Sequence, residues 1–488
     1  MNSYVNEKAE TYKKFLCGKR ACVIGAGISN IPLIRFLLDH KATVTVRDKK
    51  SREELLTNPD LHLEALEIEG VKFILGPDYL RGIDADIVYK TPGVRFDHVE
   101  ILEAYDNGAY ITGEMEAFLS ICPCKVIAIT GSNDKTTTST LCAKLLEAAG
   151  HRVFLGGNIG TPLLAKIDEI TPDDFVVVEL SSFQLHTVNR FDNKGLPFAH
   201  ISFPDVAIIT NVSPNHLDWH TSMTEYAESK RAVFDFMPDG GRFVTNADCA
   251  ITAEFAAAAA GRNIDILTFS REGAPGSAIF LRDGEIVMLE NGREKSLIAV
   301  SDIKIPGLHN AENYMAAYAA TEPFITEEAF LKVAREFPGV PYRLEFVREK
   351  DGVKYYDSSI DSSPSRTEAA LSAFPQSMEK KINIILGGYD KKIPFEPLAA
   401  PVCRMVKNAY ITGHTAKKIE DAIKNSECYD PETTHLYMCS DFDNAVRCAA
   451  ADAENGEVVL LSPACASFDA FKNFEERGKR FKDIVKSL

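Results

Sequence analysis

Three stretches of this chain repeat one grammar: a short β-branched apolar run, a glycine turn, then a helical pattern. They are RACVIGAGISNIPLIRFLLDH (residues 20–40), KVIAITGSNDKTTTSTLCAKLLEAAG (125–150) and KINIILGGYDKK (381–392). Further apolar runs follow each one: ATVTVRD after the first, FVVVELSS and VAIITNVS after the second, NAYITG and EVVLLSPA after the third. Continuous apolar strands separated by helices belong in parallel sheets covered on both faces, so the expected class is α/β. Ile31, Ile34, Leu37 and Leu38 fall on one helical stripe, as do Leu141, Leu145 and Leu146, and both stripes read as core. AEFAAAAAG (253–261) has helix-forming length and reads as a helix.

At 488 residues the chain exceeds one ordinary core, and length alone suggests about three domains. DNGAYITGEMEAF (106–118) and REFPGVPYRLEF (335–346) carry Gly or Pro between periodic segments, which suits linkers. The start, MNSYVNEKAETYKKF, has no apolar stretch behind its charges, so no secretory signal is expected. Nowhere do roughly 18 apolar residues run together, so a cytoplasmic protein with no membrane partner is expected. Eleven cysteines, odd in number and scattered, read as reduced thiols. The one close pair, Cys122-Pro-Cys124, lacks a second pair at zinc spacing and is a weak metal signal. A formal charge of −16 argues against a general nucleic-acid surface. An anionic substrate stays open, because glycine turns and a few lysines can build a local positive pocket.

AITGSNDKTTTST (128–140) has the context a phosphate cradle requires, a strand running into Gly-x-x-x-Lys-Thr and then a helix. Loop and helix N–H groups would face the anion, Lys135 would reach the terminal phosphates, and Thr136 could hold Mg²⁺. The bland alternative is a strand-to-helix turn whose lysine faces solvent. Asp134 opposes the functional reading, since it puts a side chain and a negative charge where phosphate must approach. Against that, Asn and Asp are the non-glycine residues most tolerant of positive φ. Downstream lie GGNIGTP (156–162), VVVELSSFQL (176–185), TNVSPNHLDWH (210–220) and ESKRAVF (228–234). Glu179 ends a buried strand, where an unpaired carboxylate is costly. His216 lies just past the next strand, at the edge where open α/β sheets bind ligands. Lys230, on a helical stretch reading EYAESKRAVF, reads by itself as a solvated surface lysine.

With these motifs in place the sequence resembles the Mur ligase family, ATP-dependent enzymes that add amino acids to the peptidoglycan precursor. The family pattern Gly-Thr/Ser-Asn/Asp-Gly-Lys-Thr/Ser-Thr/Ser matches GSNDKTT except at Asp134. LLSPACASFDAFKNFEERG (460–478), GGYDKKIPF (387–395) and GLHNAEN (307–313) point, within the family, to a member that joins D-glutamate to UDP-N-acetylmuramoyl-L-alanine. The resemblance implies a Rossmann-like N-terminal domain for the UDP-substrate (1–113), a central P-loop ATPase-type domain with a mostly parallel sheet (114–339), and a Rossmann-like C-terminal domain for the amino acid (340–488). It also implies that ATP phosphorylates the precursor carboxylate and that the D-glutamate amine attacks the acyl phosphate. Such chemistry is mostly positioning and charge neutralisation. A monomer is expected.

Carried over by position, the resemblance assigns Gly131, Ser132, Asn133, Asp134, Lys135, Thr136, Thr137, Asn310, Arg343 and Asp357 to ATP. Lys135, Glu179, His216 and Lys230 become catalytic, and Thr136, Glu179, His216 and Lys230 become Mg²⁺ positions, with Lys230 the lysine that the family carbamylates. Asn158 and Ser181 line the substrate channel. Gly25-x-Gly27-x-x-Asn30 lacks the third glycine of a dinucleotide fingerprint, although Asp48 follows at about the expected 20-residue spacing. As an NAD site this is weak, and the resemblance gives Ser29, Asp48, Thr91 and Gly93 to the UDP moiety instead. Lys391, Ser467, Phe468 and Phe474 are assigned to D-glutamate.

The sequence departs from the family twice. One departure is Asp134; the other is YYDSSIDSSPSRTEAAL (355–371), where relatives often show Asn-Asp-Ser and this chain has Asp357-Ser358-Ser359. Two other readings stay open: a sibling ligase of Mur or folylpolyglutamate type with another acceptor, and a non-catalytic relative disabled at Asp134.

Overall fold

The computed structural model describes residues 4–192, 196, 198, 201–217, 219–391 and 393–488; Asp218 and Lys392 of the motifs above lie outside the described residues. Contacts gather the chain into two compact units, residues 1–297 with 313–330, and residues 298–312 with 331–488.

The first unit carries two sheets. One is built from β1 (Arg20–Ile24), β2 (Thr43–Asp48), β3 (Lys72–Leu75), β4 (Ile87–Lys90) and β5 (Tyr110–Thr112), in the order 3-2-1-4-5 and all parallel. Strand order reverses between β1 and β4, which opens a crevice beyond their carboxyl ends. The loops at residues 25–30 and 91–93 meet there. The other sheet uses β6 (Lys125–Thr130), β7 (Val153–Gly157), β8 (Phe175–Glu179), β9 (Val206–Ile209), β10 (Arg242–Asn246), β11 (Asp265–Ser270), β12 (Ile279–Arg282), β13 (Glu285–Glu290) and β14 (Arg293–Ala299), ordered 14-13-12-11-10-9-6-8-7. The pairs from β7 to β12 are parallel, and β12 turns antiparallel into β13. That hairpin turns at Asp283-Gly284, with φ of 50° and 80°, the signs a two-residue type I′ turn demands. Here the switch lies at β6, between β8 and β9.

β6 and β8 are buried almost throughout, as their unbroken apolar runs dictate. The helix Lys135–Ala148 packs Leu141, Leu145 and Leu146 inward, each fully buried and each contributing roughly 2 kcal/mol of transfer free energy. Ile34 and Leu37 of the helix Ile31–Asp39 are likewise buried, with Ile31 and Leu38 packed at the margin. The alanine-rich stretch forms the helix Ala250–Ala259.

The second unit carries one sheet of β15 (Glu345–Lys350), β16 (Val353–Asp357), β17 (Ile382–Gly387), β18 (Val406–Thr412), β19 (His435–Met438) and β20 (Val458–Leu461), ordered 15-16-20-17-18-19. Only the β15–β16 hairpin is antiparallel; the other pairs are parallel. The expected class, α/β with mostly parallel sheets, is what the chain forms. Among the described residues, no helix is long and apolar enough to cross a membrane.

Candidate active site

The loop after β6 is shaped by its neighbours. Gly131 has φ of 153°, and a Cβ there would fall 1.9 Å from Thr210 Oγ1, so no other residue fits without a shift. The loop after β9 clamps this turn from one side. Ser132 N–H donates to Asn211 O at 2.8 Å, Asn133 N–H to Asn211 Oδ1 at 3.0 Å, and Thr210 Oγ1 to Asn133 O at 2.7 Å. The Ser132 hydroxyl donates to Ser213 O at 2.9 Å and pairs with Tyr226 Oη at 2.8 Å. Asp134 takes φ of 66° and ψ of 1°, the left-handed conformation that glycine usually supplies, and makes no capping hydrogen bond. The aspartate therefore preserves the backbone course of a phosphate loop.

Lys135 is the first residue of the 14-residue helix Lys135–Ala148, whose first-turn N–H groups have no intrahelical acceptor. With the helix dipole they form an anion site. Lys135 Nζ folds back onto the carbonyls of Gly131 and Ser132, each at 3.0 Å, so the cation stays at the loop rather than out in solvent. Thr137 is buried behind it.

Glu179, at the carboxyl end of β8, is 2% exposed and fully engaged. Its Oε2 accepts from Thr136 Oγ1 at 2.8 Å and its Oε1 from Asn158 Nδ2 at 2.9 Å. Asn158 is held by its own N–H donating to Glu179 O at 2.8 Å. Gly157 permits that approach, since a Cβ there would lie 2.2 Å from Glu179 O. Thr136 and Glu179 thus present hard oxygen donors side by side, the ligand type Mg²⁺ takes.

Lys230 overturns the surface reading of its helix. It is 1% exposed, donates to Gly131 O at 2.7 Å and lies 4.6 Å over the Tyr226 ring. Burial first, then the nearby Lys135 charge, push its amine well below the usual lysine range, with Glu179 opposing. His216 stands on the exposed loop after β9 at φ 55°, with its ring 4.9 Å from Phe183. Ser181 caps the short helix Ser182–Leu185 through a reciprocal pair with Gln184.

A cavity of about 250 Å³ opens in this same unit, at the switch point of the five-stranded sheet. Ser29, Asn30, Thr91 and Asn158 line it, together with Lys90 and Glu116. Lys90 is 4% exposed and burial pushes its ammonium down to about 8, opposed by Glu116 and Asp97. Asp48 holds the glycine turn, accepting from Ala26 N–H at 2.7 Å. Gly93 O accepts from Trp219 Nε1 at 2.9 Å. Lys90, Glu116 and Tyr226 were invisible to motif reading, although Lys90 directly precedes the Thr91-Pro92-Gly93 turn.

In the second unit, Arg477 is the organiser that the sequence reading missed. It is 2% exposed and ties two segments together, with Nη2 donating to Ser359 O and to Cys465 O at 2.9 Å, and Nη1 to Ala466 O at 3.2 Å. Asp357 is fully buried, with Oδ1 accepting from Ser359 N–H at 2.9 Å and Oδ2 without a hydrogen-bond partner. Burial raises its carboxyl to about 7, against the Ser359 amide and Lys482. Arg343 Nε is likewise buried and unpaired. Lys391 donates to Ser362 Oγ at 3.0 Å. Ser467 is buried, whereas Phe468 is 63% exposed with its ring 6.0 Å from Tyr389. Phe474 begins the helix Phe474–Ser487 and accepts from Ser359 Oγ at 2.7 Å through its carbonyl. Asn310 lies in the helix Leu308–Thr321 and is 6% exposed.

Comparison with known proteins agrees along the whole chain. Family models for the Mur ligase MurD-like N-terminal domain, the Mur ligase middle domain and the Mur ligase glutamate ligase domain match residues 19–113, 129–321 and 342–465. The UDP-N-acetylmuramoylalanine--D-glutamate ligase of Ruminiclostridium cellulolyticum is 44% identical over 487 residues, covering 99% of this chain and 100% of that protein. The protein of that name from Acetivibrio thermocellus is 43% identical over 487 residues, again 99% and 100%. Among solved structures, UDP-N-acetylmuramate-alanine ligase from Thermotoga maritima superposes with a TM-score of 0.55 at 19% identity, covering 96% of this chain and 99% of that one. A UDP-N-acetylmuramoyl-L-alanyl-D-glutamate--2,6-diaminopimelate ligase gives 0.57 at 15% identity, covering 91% and 92%. These two similarities carry the fold, and the full-length identities carry the family. The three-domain α/β organisation expected from the sequence holds, and the chain belongs to the Mur ligase family.

Proposed function

We propose that this chain joins D-glutamate to UDP-N-acetylmuramoyl-L-alanine with ATP, in the cytoplasmic synthesis of the peptidoglycan precursor. Relatives named for that reaction match it at 42–44% identity over nearly their whole length. One structural observation carries the chemistry: Thr136, Glu179 and Asn158 are hydrogen-bonded into a single set, and Lys135 and Lys230 both donate to Gly131 O of the adjoining loop.

In this reading residues 131–137 cradle the ATP phosphates. Thr136 and Glu179, with His216 and a carbamylated Lys230, would hold Mg²⁺, which would supply charge neutralisation at the transferring phosphoryl group. A carboxylate is a poor electrophile. Its oxygen attacks the γ-phosphorus, ADP departs, and the resulting acyl phosphate has a good leaving group. The D-glutamate amine then attacks the acyl carbon and inorganic phosphate leaves. Lys230 is suited to carbamylation because burial and the nearby Lys135 charge lower its amine's pKa and so favour the neutral form that adds to CO₂. The product is an anion, which Mg²⁺ would stabilise.

Residues 1–113 would hold the UDP end through Ser29, Asp48, Thr91 and Gly93, with Asn158 and Ser181 along the channel. Residues 114–339 would serve ATP, and residues 340–488 would present D-glutamate through Lys391, Ser467, Phe468 and Phe474. Asn310, Arg343 and Asp357 are assigned to the nucleotide. A monomer with no nucleic-acid or membrane partner suffices for this chemistry. The disabled reading loses its backbone argument, because Asp134 adopts the conformation that a loop glycine would; its carboxylate charge is tested by the Mg-ATP titration of Asp134→Gly.

The test is phosphate release from ATP by the purified protein with Mg²⁺ and UDP-N-acetylmuramoyl-L-alanine. Release should depend on added D-glutamate. Release that ignores D-glutamate, or responds to a different amino acid, contradicts the assignment.

A further inference from the structure

The first unit holds a second group of ligating side chains that the ligase chemistry does not use. His186 follows the helix Ser182–Leu185, His220 closes the segment after β9, and Glu225 lies in the first turn of the helix Met223–Asp235. One donor atom from each lies within 4.8 Å of the other two. His186 Nε2 is 3.2 Å from Glu225 Oε1, and His220 Nδ1 is 3.7 Å from Glu225 Oε2. Both histidines are 2% exposed, and His220 Nδ1, the atom facing the carboxylate, has no hydrogen-bond partner. At 3.7 Å it is beyond hydrogen-bond range of that oxygen.

His186 Nε2 is hydrogen-bonded to Glu225 Oε1 at 3.2 Å, but the His220 separation suits a shared metal better than a hydrogen bond. Zinc–ligand bonds of about 2.0–2.2 Å in tetrahedral array place ligand atoms roughly 3.4 Å apart. Two imidazoles and one carboxylate also make up a familiar three-ligand zinc set with one position left open. Nitrogen donors favour Zn²⁺ and its neighbours over Mg²⁺, which prefers oxygen. Burial of both rings disfavours the imidazolium and leaves lone pairs available.

Arg95 now occupies the place of a cation. It donates to Glu225 Oε1 at 2.8 Å and Oε2 at 3.3 Å, while also pairing with Asp97 at 2.9 Å. Thr221 adds two donors to Oε2. We propose that His186, His220 and Glu225 form a transition-metal site, distinct from the Mg²⁺ position, that takes Zn²⁺ or a similar ion in exchange for the Arg95 guanidinium. Arg95 keeps Asp97 when displaced, so no buried charge is stranded. Arg95 also donates to Trp219 O at 3.1 Å, and Trp219 donates to Gly93 O at 2.9 Å. Metal binding therefore loosens the turn assigned to the UDP end and raises KM for that substrate. This last consequence rests on the proposed function; the binding itself does not.

The chain supplies its own reporter. Trp219 is the single tryptophan, with its ring 4.6 Å from His220 and 5.2 Å from His186. Co²⁺ is titrated into the full chain with Mg²⁺ in excess, following tryptophan emission and the visible absorption of four-coordinate Co²⁺. Saturable quenching at one ion per chain is expected in the wild type and in Glu179→Gln. His186→Gln should weaken it at least tenfold. Arg95→Met, which keeps all three donors and removes the competitor, should bind Co²⁺ more tightly. Three results each overturn the site: no saturable quenching, quenching that survives His186→Gln but is lost in Glu179→Gln, or an Arg95→Met affinity no tighter than wild type.

Discussion

After β1 the chain leaves its strand through Gly25 at φ 105°, and after β6 through Gly131 at φ 153°. From there the two turns part. The first passes through a short 3₁₀ turn, Ile28–Asn30, before its helix starts with Pro32 near the N-terminus. Its Ala26 amide is taken by Asp48, and Asn30 Nδ2 donates to Gly25 O at 2.8 Å. The second runs through Asp134 directly to Lys135 at the head of a helix, with Thr136 on Glu179. Both turns sit at a switch in strand order, where a ligand can reach backbone amides. The second carries its lysine and hydroxyl at the head of the helix itself, with the hydroxyl on the buried Glu179 carboxylate, the groups that phosphoryl transfer requires; the lysine beside the first turn, Lys90, comes from β4 and lines a cavity. On the proposed function, shared grammar sets where an anion would be received, and the residues added to it decide whether chemistry follows.

The sharpest break of that comparison is chemical. Lys135→Ala should lower turnover in the phosphate-release assay by about 10³-fold, or roughly 4 kcal/mol. Ser29→Ala in the other turn should raise KM for the UDP-substrate less than tenfold and leave kcat alone. Equal losses of kcat would erase the distinction.

Sterics sharpen it next. Gly131→Ala drives a Cβ to within 1.9 Å of Thr210 Oγ1 and should cost about 3 kcal/mol or more in urea unfolding. Gly25→Ala meets Asn30 and Thr91 only at 3.2–3.3 Å and should cost about 1–2 kcal/mol, mostly from backbone strain. The reverse order would contradict the packing described here.

A pH profile probes the cavity beside the first turn. Burial holds Lys90 at about 8, below its ordinary 10.5. Between those values the unfolded chain binds the proton and the folded chain does not, so stability rises with pH across that window. Below pH 8 both states are protonated and the cost of the buried charge is constant. The rise should amount to roughly 2 kcal/mol, seen as a difference between wild type and Lys90→Met at pH 8 and pH 10. Parallel profiles would show that Lys90 is not desolvated.

Much of this was legible because it follows short periods. The parallel strands, the glycine at 131 and the carboxylate at the end of β8 all lie within single segments whose pattern fixes their place. Lys230 was harder, since one lysine in EYAESKRAVF reads as solvated. Yet Tyr226, Ala227, Ser229, Lys230, Val233 and Phe234 are the buried residues of one helical stripe, and that spacing was available. Asp283-Gly284 and Asp351-Gly352 were likewise readable hairpin signals for the antiparallel additions to two sheets. The cluster of His186, His220 and Glu225 was not legible. Its members come from three segments that only tertiary packing brings together, as does the Arg477 tie between residues 359 and 465–466.

The smallest expected effect bears on the central claim, that the loop at 131–136 binds nucleotide despite its aspartate. Mg-ATP is titrated calorimetrically into wild type, Asp134→Gly and Lys135→Ala. Because Asp134 already holds the left-handed backbone, the account predicts saturable wild-type binding at millimolar strength or better. Glycine should tighten it only a few-fold, under about 1 kcal/mol, and alanine at 135 should weaken it at least tenfold. No detectable binding to the wild type, restored by Asp134→Gly, would contradict the account.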